Sequence, residues 1–304
     1  MRGMAVLLAM ILGGVCLPPV ARGGPAAPDD LRCEGLVDPL GIDRAEPRLC
    51  WTIPPGEQGL AQTAYQILVA DSPAGLAAGR GNLWDSGKVE SDRSQWVAYA
   101  GQPLAKGSRS WWKVRVWDQT GVPSPWSASA WFTVGPLSAS DFRGEWIGAG
   151  WMKNNEGPLP WLRKTIELEE APVAATAYVC ALGYYELYVN GRKLGDDVLS
   201  PAVSDYGKRG LYRAHDLSGR LVKGRNCIGL WLGRGWSTGT LKKAGGGGPM
   251  VKAELSLAFD GSAPLAIATD TTWKARPSHI TPLGRGTSGS YGGELVEAEK
   301  EIVH

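Results

Sequence analysis

Five carboxylate side chains in the second half of the chain are candidates for acid–base chemistry by residue type: Glu186, Asp196, Asp197, Asp205 and Asp216. An inverting hydrolase needs a general acid and a general base roughly 6.5–9.5 Å apart, with water between them. Asp196 and Asp197 are adjacent, so on an extended backbone they point in opposite directions. Glu186 is flanked by strand residues that could bury it. Acidic residues after a hairpin usually form solvated turns, so a structural role is favoured for the set.

A second set of residues has the composition of a sugar-binding site. The segment SDYGKR carries Asp205, Tyr206 and Arg209, and GRGW adds Trp236. A carboxylate, a guanidinium group and aromatic rings together can bind vicinal hydroxyl groups and an apolar edge. An internal salt bridge that pins a long loop would explain Asp205 and Arg209 equally well, and the sequence leaves both interpretations open.

An earlier loop offers a second candidate rim for such a site: Trp151, Asn154, Asn155 and Glu156. Carboxylate and amide oxygens, with backbone carbonyls, are also the ligands that calcium prefers. The metal ligands themselves stay unknown from sequence. The three histidines, His215, His279 and His304, are scattered, which gives little support to a His-based metal centre or catalytic triad.

Four cysteines follow the N-terminal segment: Cys33, Cys50, Cys180 and Cys227. Four cysteines allow three pairings, and sequence alone cannot choose among them. If disulfides form, pairs within a domain are favoured, Cys33 with Cys50 and Cys180 with Cys227. Four buried free thiols are an equally weighted alternative. The spacings match no zinc site.

The N-terminal residues have the pattern of a cleaved export signal, assigned to residues 1–27. Arg2 gives a positive start, and Met4–Leu17 is an apolar run too short for a comfortable membrane span. Cys16 raises the alternative of a lipid-anchored cysteine, although Val15 before it is bulkier than such sites usually have. We therefore expect an exported protein, periplasmic or extracellular, with no membrane association once the signal is removed.

The composition favours an all-β protein and excludes some partners. With 42 Gly and 21 Pro in 304 residues, many short strands and turns are expected. The net charge of +2 is distributed without a basic stripe, so nucleic acid is not an expected partner. The chain has 14 Trp and 9 Tyr against 3 Phe, a balance that also suits stacking on sugar rings. At any single tryptophan, burial in a core is the more frequent use.

Residues 31–136 show short strands separated by Gly, Pro, Asp or Ser turns. In WWKVRVWD the apolar Trp112, Val114 and Val116 share one face, and the basic residues between them take the other. About seven such strands in roughly 100 residues indicate a fibronectin type III-like sandwich. Residues 137–146 are polar and turn-rich, and we interpret them as a linker.

Residues 147–304 are predicted to form a second all-β domain. Asn190-Gly191 is a strong hairpin signal, because a type I′ turn needs positive φ at both central positions. DLSGRLVKGRN is expected to form one or two helical turns, with its leucines and Val222 facing inward and Gly224 as the cap.

The order of these segments resembles a known family. LRCEGLVDPLGIDRAEPRLCW, YQILVADSP, LWDSGKVESDRS and WWKVRVWDQTGVPSPWS look like the N-terminal fibronectin-like domain of bacterial α-L-rhamnosidases of glycoside hydrolase family 78. LPWLRKTIEL, YVCALGYYELYVNGRKLGDDVLSPAVSDYGKR and TTWKARPSHITPLGRGTSGSYGGEL look like the domain that follows it. Cys50, Cys227 and Ser110 depart from the usual residues, which bears on packing more than on membership.

The resemblance implies a galactose-binding-like jelly-roll β-sandwich for the second domain. In some relatives such a domain binds L-rhamnose with the help of calcium, which makes calcium a candidate cofactor. Family members continue into a large (α/α)6 barrel whose carboxylates hydrolyse the rhamnoside. The resemblance does not extend to that barrel, so we expect no catalytic residues within this chain.

Three hypotheses follow. The chain is the non-catalytic N-terminal region of an exported α-L-rhamnosidase, with rhamnose-containing glycans and a separate catalytic domain as partners. Alternatively, it is a free-standing, rhamnose-binding, lectin-like module. The third hypothesis is a structural spacer of two sandwiches.

Overall fold

The computed structural model describes residues 24–55, 59–152, 156–235, 237, 248–284 and 293–301. Strands make up most of the regular structure in these residues, which confirms the predicted all-β class. The helical segments include α1 (Pro73–Ala77) and a 3₁₀ turn (Ala298–Lys300). No helix in the described ranges has the length and apolar character needed to cross a bilayer.

Two antiparallel sheets form a first sandwich. One sheet consists of β1 (Asp29–Cys33), β2 (Arg48–Thr52) and β6 (Val97–Ala98), in the order β1-β2-β6. The other contains β3 (Gln62–Ala70), β4 (Trp84–Asp85), β5 (Val89–Glu90), β7 (Arg109–Asp118) and β8 (Ala130–Thr133). Its order is β4-β3-β7-β8, and β5 pairs with β3. The inner faces of the two sheets share one core.

The alternation of β7 shows why this sequence forms a sandwich. Trp112, Val114 and Val116 are completely buried, whereas Lys113 and Arg115 lie half-buried on the outer face, as predicted. Burial of each such apolar side chain contributes about 1.5–3 kcal/mol relative to exposure. The period of two in the sequence therefore decides which face of the strand meets the opposite sheet.

Two further sheets form a second sandwich. One consists of β10 (Pro160–Leu168), β12 (Tyr184–Val189), β13 (Arg192–Lys193), β15 (Gly224–Gly233) and β18 (Lys274–Pro277). The other consists of β9 (Ile147–Gly148), β11 (Ala174–Leu182), β14 (Tyr212–Asp216), β16 (Met250–Ala258) and β17 (Leu265–Ala268). A separate hairpin pairs β19 (Ile280–Leu283) with β20 (Gly293–Val296).

The strand order of the second sandwich determines which sheet carries the candidate site. The first of these sheets has the order β13-β12-β15-β10-β18, and we call it the groove sheet. The second has the order β14-β11-β16-β17, with β9 pairing with β16. Leu187, Ile228 and Leu230 of the groove sheet pack in one core with Val179 and Leu255 of its partner. One face of the groove sheet is thus committed to the core, and the other faces away from it.

The predicted hairpin at Asn190-Gly191 is confirmed. Asn190 has φ 50° and Gly191 has φ 79°, and the turn joins β12 to β13. The Asn190 side chain adds a second function, because its Oδ1 accepts the Cys227 N–H at 2.8 Å. The turn therefore also fixes the neighbouring strand β15.

The segment DLSGRLVKGRN differs from the predicted helical turns. It forms a non-helical turn between β14 and β15, and Gly224 begins the strand instead of capping a helix. Its two leucines are buried as predicted, but Val222 is 51% exposed. The buried Asn226 side chain accepts the Val222 N–H at 2.9 Å and donates to the Val222 carbonyl at 2.7 Å. An asparagine that binds the backbone in this way competes with helix formation.

The four cysteines are free thiols. Cys33 pairs with Leu49 across β1 and β2, and both side chains belong to the core of the first sandwich. Cys50 follows Leu49 and therefore points to the opposite face. Cys180 lies in β11 and Cys227 in β15, which are strands of different sheets. The sequence could not separate these alternatives, because they depend on the face of the strand and on the sheet that each cysteine occupies.

The two sandwiches contact each other directly. The hydroxyl group of Tyr212 in β14 donates to the Gly41 carbonyl of the first sandwich at 2.9 Å. A salt bridge from Lys106 to Glu254 of β16 spans the same boundary. The predicted limits at 31–136, 137–146 and 147–304 remain predictions.

Candidate functional site

The outer face of the groove sheet carries an aromatic row. In β12, Tyr185, Leu187 and Val189 are buried in the core, so the alternate residues Tyr184 and Glu186, together with Tyr188, face outward. The same alternation on β10 and β15 turns a set of side chains to the same surface: Trp161, Arg163 and Trp231. The sequence pattern alone thus builds a surface of rings and charges on one face.

Strand register brings the outward rings together. Trp161 of β10 pairs with Trp231 of β15, and their rings stack with centroids 4.9 Å apart and planes 16° apart. The Tyr188 ring lies 5.1 Å from the Trp161 ring. Neighbouring rings in contact restrict one another's rotamers, so the platform is organised before any ligand arrives.

A glycine makes a depression beside this platform. Gly229 of β15 pairs with Arg163 on one side and with Tyr188 on the other. Because Gly229 has no side chain, a pocket of about 460 Å³ opens above it. The described lining is Trp161, Leu162, Arg163, Tyr188, Gly191, Cys227, Gly229, Lys274, Ala275 and Arg276. We call this the Gly229 pocket, and its volume lies in the range of small-molecule sites.

Glu186 is not an available acid at this surface. Its carboxylate forms a salt bridge with Lys193 and accepts a hydrogen bond from the Tyr188 hydroxyl at 2.7 Å. Burial, followed by the hydrogen bond to Glu186, raises the pKa of Tyr188. Tyr188 therefore stays a neutral donor that holds Glu186 in place, and Glu186 has a structural role.

A second, shallower pocket of about 260 Å³ lies next to the first. Glu186, Asp197 and Glu294 are the acidic residues in its described lining. Asp197 forms a salt bridge with Arg213 at 2.9 Å. Because cations already bind Glu186 and Asp197, neither carboxylate is set up as a general acid or base by this geometry.

The SDYGKR loop, which was predicted to bind a sugar, forms one compact turn. The N–H groups of Lys208 and Arg209 donate to the Asp205 carbonyl at 2.8 and 2.9 Å. The Asp205 carboxylate accepts the Gly207 N–H at 3.1 Å and lies 3.5 Å from Lys208 Nζ. The cation of this exposed pair is Lys208 and not Arg209, so it differs from the internal salt bridge considered in the sequence. Asp205 remains 56% exposed.

The remaining predicted residues are dispersed. Tyr206 is half-buried, and burial raises the pKa of its hydroxyl group. Trp151 is also half-buried, and its indole N–H donates to the Pro158 carbonyl at 3.0 Å. Neither pocket of the groove sheet includes Asp205, Tyr206, Arg209 or Trp151 in its described lining. Trp236, Asn154 and Asn155 lie outside the described residues. The binding role of the whole set remains a prediction.

Sequence reasoning did not select the residues of the Gly229 pocket. The signal was available in PWLRKT and IGLWLG, where period-two alternation puts Trp161, Arg163 and Trp231 on one face. The cross-strand register that brings them together is fixed only by the fold. In the same way, the sequence gives no hint that β18 adds Lys274 and Arg276 to the edge of this face.

The described residues give no support to a metal site. In the part of the chain that the structure describes, no group of three His, Cys, Asp or Glu side chains could hold a metal ion. The Asp205 carboxylate is already bound by Gly207 and Lys208. One carboxylate engaged in this way does not by itself make a calcium site.

The two sandwiches match known domain families. The family of the Rha78A-like, N-terminal immunoglobulin domain matches residues 28–138. The family of the alpha-L-rhamnosidase N-terminal domain matches residues 170–304. Both are families of N-terminal domains, and together they cover most of the two sandwiches.

The similar proteins and solved structures include several named alpha-L-rhamnosidase. An alpha-L-rhamnosidase of Formosa agariphila is 32% identical over 289 residues, which cover 89% of this chain and 30% of the relative. Another, from Alteromonas sp. strain LOR, is 31% identical over 258 residues and is matched over 28% of its length. The solved alpha-L-rhamnosidase structure from Dictyoglumus thermophilum has a TM-score of 0.82 at 31% identity, covering 91% of this chain and 32% of that chain. Most of the chain thus matches N-terminal domains of α-L-rhamnosidases, and the chain spans about a third of the length of these relatives.

Proposed function

We propose that this chain is the non-catalytic N-terminal region of an exported α-L-rhamnosidase. Its two sandwiches recognise or position rhamnose-containing glycans, and a catalytic (α/α)6 barrel that is not part of this chain hydrolyses the terminal α-L-rhamnosides. The observation that carries the proposal is the coverage: 89% of this chain aligns with only 30% of the Formosa agariphila relative.

The geometry of the carboxylates supports a non-catalytic role. The Glu186 and Asp197 carboxylates are each bound by a cation, Lys193 and Arg213 respectively. Each carboxylate is thus engaged by a positively charged side chain and cannot act on a substrate without giving up that contact. Hydrolysis is therefore assigned to residues beyond this chain.

Export is supported by the sequence pattern alone. Met4–Leu17 is apolar and follows Arg2, as in a cleaved signal. Expression in a bacterial host with N-terminal sequencing of the released protein tests this. A mature N-terminus near residue 27 in the periplasm or medium is expected, and an intact Met1 in the cytoplasm would refute export.

Titration calorimetry with L-rhamnose and methyl α-L-rhamnoside tests recognition. The protein should be titrated once with calcium and once with EDTA. The proposal expects saturable heat in at least one of these conditions. Tyr206→Ala and Arg209→Ala should reduce the binding heat if the SDYGKR loop binds the sugar. Absence of heat in both conditions would favour a structural spacer over a recognition region.

A free-standing, lectin-like module is the second candidate, and the aromatic Gly229 pocket is the observation that favours it. The DNA downstream of the His304 codon separates the two candidates. An open frame that continues into a helical barrel supports the rhamnosidase, and a stop codon with full sugar binding by the expressed chain supports the module.

A further inference from the structure

We propose that the Gly229 pocket binds an anionic glycosyl unit, a pyranose ring that carries a carboxylate or a sulfate group. This inference goes beyond the proposed function, because it concerns a separate site and a charged sugar. It does not depend on whether the complete protein cleaves rhamnosides.

The first argument is the wall of the pocket. Trp161 and Tyr188 line it, and both rings belong to the packed platform that includes Trp231. Aromatic faces bind the C–H faces of sugar rings, and a platform already fixed by ring contacts loses little entropy when the ligand binds. A pocket of about 460 Å³ is large enough to hold a small ligand against that wall.

The second argument is the floor. Gly229 leaves its position open between the Arg163 and Tyr188 side chains. A Cβ built at Gly229 would meet the Tyr188 Cβ at 3.4 Å and the Leu162 carbonyl oxygen at 4.0 Å, which are ordinary contacts. The backbone would accept a side chain here, and a larger side chain would fill the pocket.

The third argument is charge. Arg163, Lys274 and Arg276 all line the pocket, and all three are exposed. Within the residues that the structure describes, none of the three has an ion-pair partner, and the described lining contains no acidic residue. Lys274 pairs with Arg163 and Arg276 pairs with Trp161 across β10 and β18, so the charges border the aromatic wall.

These arguments together select the ligand. Three cations without an acidic partner among the described residues raise the local concentration of anions, and a guanidinium group can bind a carboxylate or sulfate in a bidentate manner. A neutral sugar would use the wall but leave the cations unpaired. An acidic peptide would use the cations but would not need a ring-sized depression between two aromatic side chains. An anionic pyranose uses both.

The experiment compares ligands that differ in one group. The full chain is titrated calorimetrically with methyl glucoside, methyl glucuronoside and glucose 6-sulfate, with sodium acetate, sodium sulfate and a polyglutamate peptide as controls. At least one acidic sugar should bind about tenfold or more tightly than methyl glucoside, and its affinity should fall as salt rises. Equal affinities for the neutral and acidic sugars would overturn the proposal. So would free anions or polyglutamate binding as tightly as the best acidic sugar.

Two variants locate the site. Gly229→Leu should abolish binding of the acidic sugar, whereas Gly233→Ala, on the same face of the same strand but outside this pocket, should retain it. Arg163→Gln should reduce the preference for the acidic sugar over methyl glucoside. Full binding by Gly229→Leu would refute the site.

A measurement on the unaltered protein covers the case in which Gly229→Leu does not fold. Cys227 lines the pocket. The best acidic sugar should slow alkylation of Cys227 several-fold, with methyl glucoside much less effective at the same concentration. An unchanged rate at saturating sugar would overturn the proposal. Neither result bears on the rhamnoside titration, so the two proposals fail independently.

Discussion

Lys106 Nζ lies 2.8 Å from each carboxylate oxygen of Glu254, so one ion pair connects the first sandwich to the second. Glu254 is 2% exposed, and the Arg143 N–H also donates to it at 2.8 Å. A charge this deeply buried is tolerated only when it is paired and hydrogen-bonded. The pair therefore couples the packing of the two sandwiches.

Replacement of Lys106 should destabilise the protein more than any surface charge change. Lys106→Met removes the cation and leaves the Glu254 carboxylate buried with one backbone donor. We expect a loss of about 3 kcal/mol in the free energy of unfolding, measured by urea denaturation. Lys88→Met is the matched control, because Lys88 pairs with the exposed Glu90 and should cost less than about 1 kcal/mol. Equal effects of the two variants would contradict the coupling.

Asn226 should be the most sensitive polar residue of the second sandwich. It is 1% exposed, and its amide accepts from the Val222 N–H and the Asn190 side chain while it donates to the Val222 and Gly224 carbonyls. Asn226→Ala leaves these groups unpaired and should cost about 2–3 kcal/mol of unfolding free energy. The exposed Asn82, which accepts one backbone hydrogen bond, supplies the control Asn82→Ala. A cost as small as that of the control would refute the network.

The stability of the second sandwich should decrease in acid because of His215. Its Nε2 lies 2.6 Å from the Tyr185 hydroxyl, and burial, followed by the nearby Arg213 charge, lowers its pKa to about 4 from 6.5. A pKa depressed in the folded state means that protonation favours the unfolded chain. Stability is therefore complete above about pH 6.5 and is lost as the pH falls toward 4, by up to about 3 kcal/mol.

His215→Gln tests this dependence, since glutamine can still bind Tyr185 but does not titrate. Urea denaturation between pH 7 and pH 4.5 should show a smaller loss of stability for the variant than for the unaltered protein. Both proteins contain the same carboxylates, so the difference between the two curves reports the contribution of His215. Parallel curves would contradict the assignment.

The cysteines should differ in reactivity. Burial raises the pKa of Cys180 to about 11 and also raises that of Cys33, so both thiols should be inert toward iodoacetamide at pH 8. Cys227 is half-buried at the pocket and should react first in the native protein. Peptide mass spectrometry after timed alkylation gives the order, with the urea-unfolded chain as the control. Labelling of Cys33 or Cys180 as fast as Cys227 would contradict the burial.

Much of the fold could be predicted because local rules and tertiary structure agree in it. The alternation around Trp112 and Val114 and the positive φ of Asn190-Gly191 are both properties of a few neighbouring residues. Val222 was predicted incorrectly because a side chain outside its own periodic pattern, that of Asn226, holds the backbone. Local propensity is overridden wherever a buried polar group competes for the same hydrogen bonds.

The candidate site was less predictable because it is assembled across strands. Asp205 and Arg209 are close in sequence and attracted the binding hypothesis, yet Asp205 pairs with Lys208. Trp161 and Trp231 are 70 positions apart and become neighbours only through the register of β10 and β15. Alternation shows which side chains face outward, but register decides which of them meet.

Assay of this chain alone on p-nitrophenyl α-L-rhamnoside tests the central claim most directly. A non-catalytic N-terminal region predicts no release of p-nitrophenol above the uncatalysed rate at any pH between 4 and 8 (roughly the range over which carboxylate pairs operate). Release that is abolished by Glu186→Gln or Asp197→Asn, in variants that remain folded, would show that this chain carries its own acid and base and would contradict the account.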